Sequence, residues 1–293
     1  AGRGDDGEFR AIVQQSRPFL MAQASRIIAT ILGCGSSGGV PRIGGNWGDC
    51  DPANPRNRRR RCSLLLEGFG ADGGVPTRVV IDTGCDLREQ LLDAAVDRVD
   101  AVLYTHEHAD HTHGIDDLRV LALNSRKRVD VFFSQEAANR IVPSFAYCFT
   151  APPGSGYPPI LNQNLIAAGH PLTIHGPSGE IDILPFEQTH GEITSLGFRI
   201  MDFAYSVDLS AIPEQSADAV TALDVWVLDA LRPTPHPSHL SLPESLETIA
   251  RFAPRQAVLT NLHIDMDYDT VARGTPENVT PAYDGMRIDV TAG

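Results

Sequence analysis

Between Tyr104 and Gly114 the chain reads Tyr-Thr-His-Glu-His-Ala-Asp-His-Thr-His-Gly, which puts His106, His108, Asp110 and His111 within six residues at the end of an apolar run. Neutral imidazole beside carboxylate is a donor set that divalent transition metals select. On an extended segment, side chains two apart point the same way, so His106 and His108 can grip one cation. Asp110 and His111, where the chain turns, can reach a second cation beside it. The spacing therefore predicts a centre for two divalent ions, zinc or manganese, since mixed His and carboxylate sets suit both.

Such a cluster needs rigid elements behind it. Short β-rich runs stand at Ile27 to Leu32, Ser63 to Glu67, Arg78 to Ile81, Ala101 to Tyr104 and Val129 to Phe133. Helical patterns lie between them at Leu87 to Val96, after the cap candidate Asp86, and at Ile115 to Leu123. The second half repeats the logic, with strand-like runs at Ile181 to Phe186, Leu196 to Met201, Ala204 to Val207, Asp224 to Leu228 and Ala257 to Leu259. One helix follows there, Pro243 to Phe252, with Ser241 as cap and Glu244 three residues on. Two strand-rich halves that each carry helices predict two sheets packed face to face with helices outside, an α/β sandwich of four layers in one domain over residues 25–293. The Pro- and Gly-rich stretch Pro143 to Pro159 reads as a long loop. Residues 1–24 read as an N-terminal extension, flexible or appended, because Met21 opens the segment before the first strand.

Composition narrows the function. Lys plus Arg number 24 against 37 Asp plus Glu, a formal charge of -13, which disfavours a broad surface for extended nucleic acid. A small-molecule substrate is the expectation. The Arg58 to Arg61 run is the one dense charge cluster, read as a solvated loop or, more sharply, as a local phosphate contact. The five cysteines lack zinc-ribbon or redox-pair spacing, and no apolar stretch approaches a membrane span or a secretory signal. Those features predict a cytoplasmic protein with no membrane association.

His106-Glu-His-Ala-Asp-His111 resembles the His-x-His-x-Asp-His signature of the metallo-β-lactamase fold superfamily. That resemblance implies an αβ/βα sandwich with a binuclear site between its sheets, and it assigns the remaining ligands. His190, in Gln188-Thr-His-Gly191, matches the histidine that completes the first metal site. Asp208, in Tyr205-Ser-Val-Asp-Leu209, matches the carboxylate that bridges both, and His263, in Leu259-Thr-Asn-Leu-His-Ile264, matches the last ligand on the second. Asp82, in Ile81-Asp-Thr-Gly84, corresponds to an aspartate that orients ligands by fixing an imidazole tautomer.

The superfamily hosts hydrolysis of β-lactams, thioesters, lactones and phosphodiesters, so local residues must decide between them. His239, in Pro237-Ser-His-Leu-Ser-Leu-Pro, resembles the extra histidine of the phosphodiesterase branch that includes ribonuclease Z; it can protonate a leaving alkoxide or stabilise the phosphoryl oxygens. Leu32-Gly-Cys-Gly-Ser-Ser-Gly-Gly-Val-Pro41, Cys50-Asp-Pro, Arg58-Arg-Arg-Arg-Cys-Ser63 and His113-Gly-Ile-Asp-Asp-Leu-Arg119 resemble the phosphoribosyl cyclic phosphodiesterases of phosphonate breakdown. That group carries a cysteine cluster for a structural zinc where this chain offers only Cys50. The resulting expectation is a phosphodiesterase acting on a small cyclic phosphate or nucleotide-like diester. A metal-bridging hydroxide would be its nucleophile, with Asp110, Asp208 and His239 serving catalysis. His113, His236 and Ser36, the last in the Gly-rich turn Gly33 to Gly39, are candidate substrate contacts, and a homodimer is a family-level expectation. The competing readings are tRNA 3'-processing of the ribonuclease Z type, thioester or lactone hydrolysis of the glyoxalase type, and a binding protein with a degenerate site.

Overall fold

The structure is a computed structural model, and it describes residues 23–71 and 73–291. Strands β1 (Arg26–Gly33), β2 (Ser63–Phe69), β3 (Thr77–Ile81), β4 (Ala101–Leu103), β5 (Val129–Phe133) and β6 (Leu161–Leu165) lie in one sheet. Its helices are α1 (Leu87–Asp93), α2 (Ala109–Thr112), α3 (Leu118–Ser125), α4 (Gln135–Ser144) and α5 (Ala146–Phe149). The second sheet holds β7 (Leu172–Gly176), β8 (Gly179–His190), β9 (Ile193–Ile200), β10 (Phe203–Ser206), β11 (Val225–Asp229), β12 (Gln256–Thr260) and β13 (Val279–Pro281). Helix α6 (Leu242–Phe252) precedes β12 and α7 (Tyr268–Gly274) follows it. The last strand, β14 (Arg287–Thr291), returns to pair antiparallel with β1 at the edge of the first sheet.

Period-two alternation explains why both faces of each sheet are buried. Ile27, Ala29, Ile31, Leu64, Leu66, Val79, Ile81 and Leu103 point inward and meet Ile181, Phe198, Tyr205, Val227 and Val258 of the other sheet in one core. The residues between them, Leu65, Val80 and Val102, face α1, α3 and α4, while Trp226, Leu228 and Leu259 face the helical layer that includes Ile249 of α6. These two outer cores and the one between the sheets make the expected αβ/βα sandwich. The packing beneath the outer helical layer of the second sheet is tight: a Cβ on Gly197 of β9 would stand 2.3 Å from the Phe186 ring of β8.

Each sheet is antiparallel on one side and parallel on the other: β3 to β6 run parallel, as do β10 to β13. The carboxyl ends of parallel strands are where α/β sheets bind ligands. Here the ends of β3, β4, β8, β10, β11 and β12 carry Asp82, the segment 104–114, His190, Asp208, Asp229 and Asn261 to His263.

Several expectations need correction. The helix expected at Leu87 to Val96 ends at Asp93, and Asp86 does not cap it with its side chain. The Asp86 carboxylate instead accepts from the Arg61 N–H at 3.0 Å and pairs with Arg61 Nη1 at 2.9 Å. The segment from Ile115 opens with a 3-10 turn before α3. Pro143 lies inside α4, and α5 follows, so the loop expected from Pro143 begins only after Phe149. By contrast Glu244 accepts from Ser241 N–H at 2.8 Å, as the expected capping box requires. Of the expected extension over 1–24, residues 1–22 lie outside the described residues, and Ala24 is buried with its N–H donating to Glu180 O at 2.9 Å. Among the described residues no helix is long and apolar enough to cross a membrane.

Candidate metal centre

The cluster at 106–111 is held by the first sheet and by close backbone packing. β4 ends at Leu103, and Thr105 O accepts from Leu196 N–H of β9 at 2.9 Å, which ties the two sheets at the mouth of the site. Asp110 O lies where a Cβ of Gly84 would be, at 2.2 Å, and Gly84 O lies where a Cβ of Gly114 would be, also at 2.2 Å. Only glycine at both positions lets the loop after β3 lie against the turn that carries the ligands.

Behind the histidines stands Asp82, fully buried, with φ 65°. Its carboxylate accepts from the Thr105 N–H and the Thr105 hydroxyl at 2.8 Å each, and from His111 Nδ1 at 2.7 Å. The Thr105 hydroxyl, having donated to Asp82, can accept from His106 Nδ1 at 2.9 Å. One carboxylate thus fixes two rings with Nε2 facing the centre. His190 is fixed in the same sense by Ser238 O, 2.7 Å from its Nδ1.

Two groups of donors converge on Asp208: His106, His108 and His190 on one side, Asp110 and His111 on the other. Asp208 Oδ2 lies 3.5 Å from His106 Nε2, 3.5 Å from His111 Nε2 and 3.6 Å from His190 Nε2. Asp110 Oδ2 is 3.5 Å from His111 Nε2, and His190 Nε2 is 3.4 Å from His108 Nδ1. Donors about 2.1 Å from a tetrahedral ion stand roughly 3.4 Å from one another. These separations are near that edge length, while His106 Nε2 and His108 Nδ1 stand closer, at 2.9 Å, and the residues present fit a divalent ion beside Asp208.

The electrostatics agree. Burial, reinforced by the His111 charge beside it, pushes His106 well below the usual histidine range, and burial also lowers His190. Both rings are held neutral, the form that ligates metal. Burial would lower His111 as well, but the Asp208 and Asp82 carboxylates on either side outweigh it and draw its pKa up, so that a cation competes with a proton for that ring. Burial disfavours ionised Asp208, yet the charge and hydrogen bond of His111 hold it well below the usual carboxylate range.

His239 lies beside this cluster, its ring centroid 4.8 Å from that of His190. The loop that carries it is pinned at both ends: Leu240 N–H donates to Leu209 O at 2.8 Å, and Leu242 N–H donates to Arg232 O at 2.8 Å. Two partners were not legible in the sequence. Asp229, fully buried at the end of β11, takes His239 Nδ1 at 2.8 Å, and Asn261 Nδ2 donates to Asp208 Oδ1 at 2.9 Å. Burial pushes Asp229 up to about 6 against the His239 hydrogen bond. Burial pulls His239 down, but the hydrogen bond and charge of Asp229 outweigh it and raise its pKa.

A cavity of about 400 Å³ opens over these groups, with His108, Asp110, His190, Asp208, His239 and His263 in its lining. Ser36 and His236 line it too. His113 does not: it is exposed and stacks on Phe145 at 5.6 Å. His263 shares the cavity but falls outside the donor groups around Asp208. Its Nε2 meets the Arg42 guanidinium, and Asp265 Oδ2 lies 2.9 Å from its Nδ1, off the line of a hydrogen bond.

Residues 77–264 match the Beta-lactamase superfamily domain. The chain belongs to the metallo-β-lactamase superfamily. A crystal structure described as a new diphosphatase from the PhnP family is 30% identical, with a TM-score of 0.79 over 90% of this chain and 97% of that one. Human tRNase Z, short form, is 16% identical with a TM-score of 0.59, covering 89% of this chain and 98% of that one, a likeness of fold. A curated protein of Porphyromonas gingivalis named octanoyltransferase is 29% identical over 259 residues, 87% of this chain and 50% of that protein. The chain thus spans about half the length of this curated relative. The donor set of this superfamily member could hold a metal ion.

Proposed function

We propose that the protein is a phosphodiesterase with two divalent ions, zinc or manganese, acting on a small cyclic phosphate or a nucleotide-like diester. The observation that carries this reading is the Asp229–His239 pair beside the donor set, at 2.8 Å, in a cavity that a small ligand would fill. Its support from similarity is the PhnP-family diphosphatase, 30% identical over nearly the full length of both chains.

In this reading His106, His108, His190 and Asp208 hold one ion, and Asp110, His111, Asp208 and His263 hold the other. Bound divalent ions supply Lewis acidity toward phosphoryl oxygens and an acidified water at neutral pH. The chain supplies the rest. Asp82 and Ser238 O keep the ligand rings in the tautomer that faces Nε2 inward. Asp229 holds His239 Nδ1–H, which leaves Nε2 to give a proton to the departing ester oxygen. The hydrogen bond and charge of Asp229, which raise the pKa of His239, favour retention of that proton. Ser36 and His236 line the wall available to the rest of the substrate.

The test is hydrolysis of bis-p-nitrophenyl phosphate by protein loaded separately with manganese and zinc, with His239→Ala beside it. On adenosine 2',3'-cyclic phosphate, run beside it because its leaving alkoxide needs a proton where p-nitrophenolate does not, loss of the general acid should cost about 10²- to 10⁴-fold in kcat at unchanged metal content. Absence of diester turnover in the loaded wild type overturns the reading. An S-octanoyl thioester run in parallel covers the acyl chemistry named for the longer relative; thioester turnover indifferent to His239→Ala would place the protein with the glyoxalase-type hydrolases.

A further inference from the structure

The two carboxylate oxygens of Asp208 have different neighbours. Oδ2 lies within 3.6 Å of the Nε2 atoms of His106, His111 and His190, whereas Oδ1 accepts from Asn261 Nδ2 at 2.9 Å. The backbone beneath the carboxylate is clamped: Asp208 O takes the Ser195 hydroxyl at 2.7 Å, and the next N–H, of Leu209, donates to Asp229 Oδ2 at 3.1 Å. Only rotation about the last side-chain bond could exchange the two oxygens, and the Asn261 amide opposes that rotation.

Asn261 is itself buried and firmly held. On one side of it Thr260 O accepts from Ala230 N–H at 3.0 Å, and on the other Leu262 N–H donates to Cys34 O at 2.8 Å. The neighbours also fix which way the amide faces. Its Nδ2 meets an acceptor, Asp208 Oδ1, while its Oδ1 lies 3.9 Å from the Cys62 thiol, which can donate. Turned over, the amide would set oxygen against carboxylate oxygen. Asp208, Asp229 and His239 form a third group of donors close enough together for an ion. The Asn261 NH2 already stands against two of them, 2.9 Å from Asp208 Oδ1 and 3.2 Å from His239 Nδ1, so a neutral amide takes that side of the carboxylate.

We propose that Asn261 is a positioning residue: by taking Asp208 Oδ1 it leaves the single oxygen Oδ2 to face both donor groups, so that two ions share one carboxylate oxygen. This rests on the two-ion reading above. The dependence is unequal. Beside Asp208, one group gathers three histidines and the other only Asp110 and His111, so the ion of the smaller group relies more on where Oδ2 stands.

The test titrates manganese into metal-free wild type, Asn261→Gly and Asn261→Ala, followed by calorimetry and by electron paramagnetic resonance, with urea unfolding of the metal-free proteins alongside. Both variants allow the turn at φ 61°, since glycine accepts it freely and this chain sets alanines at positive φ at positions 95, 222 and 253. Ions that share an oxygen couple magnetically, so wild type with two equivalents should give an exchange-coupled spectrum. The variants should bind the first equivalent within about three-fold of wild type and the second about 10- to 100-fold more weakly, with the spectrum of isolated manganese at two equivalents. Variants that bind both equivalents as wild type does, or that lose both to the same degree, overturn the positioning role of Asn261. A wild type that holds two equivalents without coupling overturns the shared oxygen. A wild type that takes up only one equivalent overturns the two-ion reading itself, and the positioning role falls with it.

Discussion

Replacing Asp82 by Asn changes one atom's chemistry at the point from which two of the proposed ligands are oriented. The amide keeps the shape, and its oxygen can still accept from the Thr105 N–H, as Oδ1 does at 2.8 Å. The NH2 group then stands where Oδ2 meets the Thr105 hydroxyl at 2.8 Å and His111 Nδ1 at 2.7 Å. Donor faces donor. His111 can relieve this only by moving its proton to Nε2, the atom that lies 3.5 Å from Asp208 Oδ2 and would carry the ligand lone pair. Losing a hydrogen bond to a buried charged group costs about 1.5–3 kcal/mol. Removing the partner of a ligand ring typically weakens metal affinity about 10- to 100-fold, which is roughly 1.4–2.7 kcal/mol. The two estimates agree, so Asp82→Asn should bind zinc one to two orders of magnitude more weakly, measured by competition with a chromophoric chelator near neutral pH. Urea unfolding of the metal-free proteins separates lost affinity from lost fold. A folded variant that binds zinc within about two-fold of wild type would refute the argument that Asp82 sets the tautomer.

Two further outcomes follow from packing and titration away from the site. Burial would raise Asp267, but hydrogen bonds from Thr270 N–H, Asn57 and Asp51 N–H outweigh it and hold the carboxyl at about 2. Its folded pKa is depressed, so its contribution is fully present above about pH 4 and is lost as the pH falls toward 2. Asp267→Asn should cost about 1 kcal/mol at pH 7, allowing for partial exposure, and much less near pH 2.5; equal losses in urea at both pH values would contradict this. Gly197→Ala forces a methyl to within 2.3 Å of the Phe186 ring in the core between the second sheet and its helices. An overpacking cost of about 3 kcal/mol is expected, seen as a lowered Tm, and an unchanged Tm would mean that this outer core yields more readily than its close packing implies.

The contiguous donors were legible because three histidines and an aspartate within six residues need no tertiary information. Their supports were not. Asp229 is an ordinary acid at the end of an apolar strand, and only folding across ten residues of loop brings it to His239. Asn261 meets Asp208 across 53 residues, and nothing near either position signals the pair. The strands that sequence patterning overlooked are edges: β6 reads Leu-Asn-Gln-Asn-Leu, half solvent-facing, and β7 closes the opposite sheet. An edge strand with one wet face lacks the unbroken apolar run by which β2 to β5 declare themselves. Helix α4 was hidden by its own Pro143, which sits next to its last residue, so the bond it removes is one of the last of the helix.

A common thread joins the residues that matter most at the strand ends. Asp82 after β3, Asp208 after β10 and Asn261 after β12 all have positive φ, 65°, 54° and 61°. Most side chains pay for that conformation, but Asp and Asn tolerate it because a short polar side chain can bond locally. Each parallel strand can therefore turn sharply at its carboxyl end without a glycine. The residue that makes the turn then has a carboxylate or amide left to work with: Asp82 orients rings, Asp208 stands between the two donor groups, and Asn261 holds Asp208. A glycine would make the same turns and leave the centre without these polar groups; an alanine, which this chain also sets at positive φ at positions 95, 222 and 253, would likewise turn the chain and lose the chemistry. Backbone geometry and site chemistry thus select the same two residue types at these positions.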